Sequence, residues 1–326
     1  MCVLKTHIGR TKFTENWKEF TIMLISIDHG NKNCKLLSGR VFTSGIRESD
    51  TRPPFGEDVL KYNGKYYTIS DKRIPYLREK FSDHRFFVLS LFAIAYEIED
   101  AGLYDPNIIP IHILAGLPPS HYGSQYERFE EYFKRGIEEF EFRDKKYKVN
   151  IFDATAFPQA FAAVMPIYSQ ISNYPKLTVV DLGGFTLDYI SIRNGQADLS
   201  VCDSLEHGVI IMYNQIIARA NSAHDILLDE ADIDVIIKGE PNNFGEDVRR
   251  IVNDTAQTFI SDLFGKLRER AIDLRSGKTV FVGGGSILLR KQIEASGKVA
   301  SPLFVDKISA NAKGYELLYK ASKARA

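Results

Sequence analysis

Apolar residues along the chain gather into short runs that stop at aspartate, glycine or proline, separated by a few longer stretches with helical spacing. MLISID at 23–28 reads as a strand, HGNKNCK as a Gly-containing turn, and KLLSGRVF as a returning strand, which together predict a hairpin. Residues 55–75, with VLKYNGKYYTI, predict a second hairpin. The stretch 84–102 is apolar on all sides and ends at Gly102, as a buried helix would. IPIHILAGLPP at 109–119 reads as a buried strand stopped by two prolines, followed by a charged amphipathic helix from about Ser124 to Arg135. EEFEFRDKKYKVNIF alternates as a hairpin, and a helix is expected from about Pro158 to Ile171. The segment SNYPK at 172–176 is the expected boundary between two lobes.

The second half opens as the first does. LTVVDLGGFTLDYISIRNG is an apolar strand ending in Asp181, a glycine turn and a returning strand, closed by the Asn194–Gly195 turn. Set beside MLISIDHGNKNCKLLSGR it indicates an internal duplication, hence two similar lobes facing one another. From Gly245 onward, Val248, Ile251, Val252, Thr255, Phe259, Leu263 and Leu267 fall at helical spacing and predict one long amphipathic helix. KTVFVGGGSILL at 278–289 reads as a strand, three glycines and a new helix.

These turns carry the candidate chemistry. Glycine lets backbone amides approach an anion closely, and a carboxylate at a strand end holds a divalent cation beside it, so such a turn suits the phosphates of a nucleotide. A single DxGG turn is ordinarily a hairpin with an acidic residue. Two copies on duplicated strands, with Gly283, Gly284 and Gly285 before a helix as a third cluster, favour the nucleotide reading. The dinucleotide fingerprint G-x-G-x-x-G is not met, because Leu288 occupies its last position.

Composition narrows the partners. With 42 Lys plus Arg against 42 Asp plus Glu, the chain has no net charge with which to hold nucleic acid along its surface. Three cysteines, Cys2, Cys34 and Cys202, are too few and too widely spaced for a disulfide framework and match no metal-binding pattern, so a reducing, cytoplasmic setting is expected. The longest apolar run, FFVLSLFAIAY at 86–96, stops after 11 residues, whereas a bilayer span needs about 20. Residues 1–22 read as an extension with no secretory signal and no membrane-binding segment.

Taken in order, the three turns resemble the phosphate-1, phosphate-2 and adenosine motifs of the actin-fold ATPases. DHGNKNCK is similar to the first loop of actin, with Asp28, Gly30 and Lys35 at matching places, while DLGGFTLD looks like the bacterial plasmid-partitioning proteins of the ParM (StbA) type. LPP at 117–119, FPQAFAA at 157–163 and SANAKGY at 309–315 extend the resemblance over nearly everything from Met23 onward. It implies an α/β fold, the actin-like (ribonuclease H-like) duplicated two-lobe fold with a nucleotide cleft between the lobes. Domain I would span 23–172, domain II 173–310, and a C-terminal helix at 311–326 would return to domain I.

The resemblance also implies roles. Asp28 and Asp181 would hold Mg²⁺ through water and orient the attacking water, and Gln159 would position that water. A glutamine is a poor general base, so turnover should be slow without assembly. Lys35 would contact the β- and γ-phosphates; Gly30, Asn31, Gly183, Gly184, Phe185, Thr186, Gly283, Gly284 and Gly285 would lie against ATP or GTP. Phe185 stands where the family usually has threonine, and Asn31 and Lys32 replace small residues of the first turn. His29 is read as a surface residue without a role. The implied activity is NTP hydrolysis coupled to filament assembly, with copies of itself and a DNA-binding adaptor as partners, which agrees with the neutral charge. A metabolic phosphotransferase of the same fold, such as a sugar or acetate kinase, and a chromosomal cytoskeletal actin homologue are the alternatives.

Overall fold

Each half of the chain builds a sheet around one strand that is largely apolar and buried along most of its length, as a strand covered on both faces must be. The computed structural model describes residues 22–325, so the expected N-terminal extension, apart from Ile22, lies outside the described residues together with Cys2. The first half runs β1 (Met23–His29), β2 (Asn33–Leu36), β3 (Val41–Thr43), β4 (Ile46–Ser49), β5 (Val59–Tyr62), β6 (Lys65–Ile69), α1 (His84–Asp100), β7 (Ile109–Leu117), α2 (Pro119–Phe133), β8 (Gly136–Phe142), β9 (Lys145–Pro158) and α3 (Tyr168–Ile171). The second runs β10 (Lys176–Leu182), β11 (Leu187–Arg193), β12 (Gln196–Leu205), α4 (Val209–His224), α5 (Glu230–Lys238), α6 (Glu246–Glu269), β13 (Lys278–Val282), α7 (Gly284–Leu288), α8 (Arg290–Ala295), β14 (Pro302–Phe304) and α9 (Ala310–Ala324).

Strand order makes the duplication explicit. The larger sheet begins β3-β2-β1-β7-β9 and the smaller is β12-β11-β10-β13-β14. In both, two antiparallel pairings are followed by two parallel ones. The larger sheet continues through β8-β5-β6-β4, an addition confined to the first half. Helix α1 is buried from Phe86 to Ile98 and is the spine of the first core, where it meets Ile25, Ile27, Ile111 and Ile113 of β1 and β7. Each such side chain removed from water contributes about 1.5–3 kcal/mol. The stripe predicted on α6 is the second core's counterpart, with Val252, Phe259, Ile260 and Leu267 buried.

Three expectations from the sequence need correction. The helix expected over 158–171 does not form as one element: β9 continues to Pro158, Ala160 adopts a left-handed backbone (φ 61°), and a 3₁₀ turn over Ala162–Ile167 contains Pro166, which cannot donate to a regular helix. Gln159 therefore sits in a turn at a strand end. Helix α2 begins at Pro119, five residues before the expected start, because proline suits a first helical position. The returning strand after β1 is broken into β2 and β3 by the turn at Gly39 (φ 92°).

The last helix crosses back to the first half. Ser26 Oγ donates to the Ala312 carbonyl at 2.6 Å, and Gly314 rests against the backbone of Ala162.

Candidate active site

The duplicated hairpins decide which residues meet. In the first, Asp28 of β1 pairs across the ladder with Lys35 of β2; in the second, the equivalent Asp181 of β10 pairs with Asp188 of β11. One hairpin thus sets a cation opposite its aspartate, and the other sets a second carboxylate there. Both aspartates line a single cleft together with Gly30, Asn31, Lys35, Gln159, Gly183, Gly184, Thr186, Gly284 and Gly285, so most residues singled out from the sequence come together.

Asp28 is 2% exposed and has both oxygens engaged: Lys35 Nζ donates to Oδ2 at 3.1 Å and Gln159 Nε2 to Oδ1 at 2.9 Å. Burial works against the Lys35 ammonium, but Asp28 and Asp181 outweigh it and hold its pKa above the usual lysine value. Asp181 receives Asn311 Nδ2 on Oδ2 at 2.9 Å, and the side-chain Oδ1 of Asn311 accepts from the Ala160 amide at 3.2 Å. Burial raises the Asp181 pKa, with Lys35 and Asn311 opposing it. Asn311, at the head of α9, thereby ties the second aspartate to the turn that carries Gln159. SANAKGY marked the segment in the sequence, but nothing there distinguished its asparagine.

Asp188 is the other functional candidate that sequence reasoning left out, although it closes the DLGGFTLD turn. Burial, and next the charge of Asp181, push its carboxyl up to about 7. Thr186 Oγ1 donates to Oδ2 at 3.2 Å, while Oδ1 is buried without a hydrogen bond. A folded pKa of about 7 against 3.8 when unfolded means the native state binds the extra proton, so stability falls by about 1.4 kcal/mol per pH unit between roughly pH 4 and 7 and is level above that. Asp188→Asn should therefore melt higher than the parent at pH 8, by a margin that narrows toward pH 4. Equal melting temperatures at both pH values would show that Asp188 ionises without hindrance in the fold.

Some predicted contacts are rearranged. Phe185 does not line the cleft; its ring stacks on Tyr76 at 3.9 Å and 7°, joining the DLGGFTLD turn to the first half. Gly283 does not line the cleft, and a Cβ there would fall 2.2 Å from Asp181 Oδ1. Helix α7 spans only five residues, so Gly284 and Gly285 offer closeness to a ligand rather than a substantial helix dipole. His29 is not a surface residue: it is 1% exposed, shares a 2.8 Å hydrogen bond with Ser90 Oγ and stacks on Phe133, and burial lowers its pKa to about 3. Lys32 bridges the cleft, donating to Tyr213 Oη at 2.9 Å and pairing with Glu230 at 3.0 Å, while Arg73 meets the same Glu230 at 2.8 Å.

The donor set is one of hard carboxylate oxygens, suited to Mg²⁺ rather than to a softer metal. Among the described residues no three His, Cys, Asp or Glu are grouped to hold a metal ion, so a cation here would also draw on phosphate oxygens and water.

Residues 26–161 match the family described as actin like proteins N terminal domain, and residues 179–295 match the archaeal actin homologue MreB-like, C-terminal family. No curated protein matches the chain in sequence. Among solved structures, an archaeal actin homologue, Ta0583, aligns with a TM-score of 0.72 at 18% identity over 92% of this chain and 100% of its own. Alp7A aligns with a TM-score of 0.72 at 16% identity over 93% and 98% of the two chains. ParM from a 15-stranded filament of Clostridium botulinum aligns with a TM-score of 0.69 at 20% identity over 91% and 99%. At these identities the likeness concerns the fold.

Proposed function

Since this chain is an actin-like protein, joining an actin-like N-terminal domain to an MreB-like C-terminal domain, we propose that it is an ATPase of the ParM type that assembles into filaments with nucleotide bound and uses them to segregate plasmid or other DNA. One arrangement carries the reading. Two turns of matching topology, from separate sheets, present Asp28 and Asp181 to one cleft, and an amide side chain orients each carboxylate.

ATP or GTP would lie with its phosphates among Gly30, Asn31, Lys35, Gly183, Gly184 and Thr186 and its nucleoside toward Gly284 and Gly285. Mg²⁺ would be held by Asp28 and Asp181 through water, and when bound it supplies neutralisation of the phosphate charge. Gln159, fixed against Asp28, would align the attacking water; since an amide hardly accepts a proton, its contribution is orientation. The two lobes would be 23–172 and 173–310, with 311–326 returning to the first. A γ-phosphate touching both turns would favour the closed cleft, and its loss would shift the population toward opening and weaken contacts between subunits.

Precedents are an ADP complex of the archaeal homologue, the Clostridium botulinum ParM filament and an Alp12 filament. Partners would be further copies of the chain and a DNA-binding adaptor, in the cytoplasm. Among the described residues no helix is long and apolar enough to cross a membrane.

Sedimentation with ATP, GTP, their diphosphates and non-hydrolysable analogues tests the proposal. Pelleting that needs triphosphate and reverses after phosphate release is the expected result. Sugar- or acetate-dependent release of ADP without pelleting would instead assign the chain to the phosphotransferases.

A further inference from the structure

Lys80 has no place in the motifs, yet it lines the same cleft. It lies on a short 3₁₀ turn, Lys80–Ser82, that leads into α1. Only 6% of it is exposed. Its ammonium donates to the His29 carbonyl, and among the described residues it forms no ion pair. An ammonium has three donors, so two remain unspent at a site that water scarcely reaches. Burying an ammonium without a counter-charge costs several kcal/mol. Lys35 escapes that cost through Asp28, as Lys80 does not.

The groups facing Lys80 explain what it awaits. Asp28 and Asp188 attract it and Lys35 repels it, and burial still prevails, lowering its pKa. Asp28, Asp181 and Asp188 line the cleft with three lysines, Lys32, Lys35 and Lys80, and of these Lys32 and Lys35 are already paired with carboxylates. Of Lys35 and Lys80, which line the cleft together, only Lys80 leaves all its donors uncommitted to a carboxylate.

Resting on the nucleotide reading above, we propose that Lys80 is a second phosphate-binding cation, which gives its two unspent donors to the terminal phosphate of a nucleoside triphosphate while its third fixes the His29 carbonyl. Lys35 stays paired with Asp28 as it serves the phosphates; Lys80 discriminates triphosphate from diphosphate.

The test is the affinity of the full chain for ADP and for a non-hydrolysable ATP analogue, each with Mg²⁺, measured by displacement of a fluorescent nucleotide, with the guanine counterparts in parallel. Lys80→Met should weaken the triphosphate analogue about 10- to 100-fold while changing ADP by less than about threefold, the loss expected for charge-assisted hydrogen bonds to one phosphate. Lys80→Arg should recover most of it. An equal loss for both nucleotides, or no loss, would overturn the assignment and leave Lys80 as a support for the first turn. If Lys80→Met does not fold, Lys80→Gln, which keeps a donor, takes its place in the same comparison. Should the unaltered chain bind neither nucleotide, the ATPase reading itself falls; should it bind both and Lys80→Met bind them alike, only the role of Lys80 does.

Discussion

Asp181→Ala is expected to abolish nucleotide hydrolysis, by about 10³-fold or more, in a chain that remains folded. Loss of a single charged group that organises the reacting phosphate has an effect of this order. Folding should survive because the carboxylate is a burden to the native state: burial raises its pKa, so its charge is held at a cost. Removing it also relieves Asp188, whose raised pKa owes its second-largest part to Asp181. The losses are the 2.9 Å hydrogen bond from Asn311, which leaves an amide unpaired, and part of the attraction on Lys35, which keeps its ion pair with Asp28. Phosphate release measured beside a thermal melt separates the two effects. A variant that keeps normal turnover would remove Asp181 from the chemistry, and one that melts far below the parent would show the carboxylate to be structural.

Gly314→Ala is expected to be the most damaging single-methyl change in the chain, lowering the melting midpoint by about 5–10 °C. A Cβ at Gly314 would sit 1.8 Å from the Ala162 carbonyl oxygen and 2.3 Å from its carbon. Both neighbours are backbone, and the 3₁₀ turn that carries Ala162 is locked by Pro166, so neither a rotamer change nor a small shift makes room. Helix α9 would have to lift, and with it Asn311, which holds Asp181 and the Ala160 amide. Nucleotide affinity should therefore fall along with stability. Gly265→Ala supplies the contrast. That glycine is exposed inside α6, with nothing within 4 Å of the added carbon, and alanine there should be neutral or stabilising by about 0.5–1 kcal/mol. If the two variants melt alike, the close approach of α9 to the 3₁₀ turn is not as described.

Local chemistry in the sequence determined much of this protein. Strands β1 and β10 are largely apolar and each carries an aspartate near its end before a turn with glycine, so both hairpins and their duplication were legible from spacing, whereas the meeting of Asp28 with Asp181 was implied by the family resemblance. The α6 stripe was legible for the same reason, since a 3.6-residue period persists over 24 residues. Short-range strain was harder to read: a strand that reaches Pro158 and a left-handed Ala160 turned an expected helix into a bend, because proline and a positive φ outweigh helical spacing.

Only the tertiary structure decided the rest of the site. Lys80 is 52 positions from Asp28 and Asn311 is 130 from Asp181, and neither carries a local signature, since lysine and asparagine are ordinarily solvated and become chemical only when burial strips their water. Phe185 and His29 differ from expectation for the same reason: what a side chain faces is set by the element packed over it, Tyr76 in one case and α1 in the other, and that packing is a property of the whole fold.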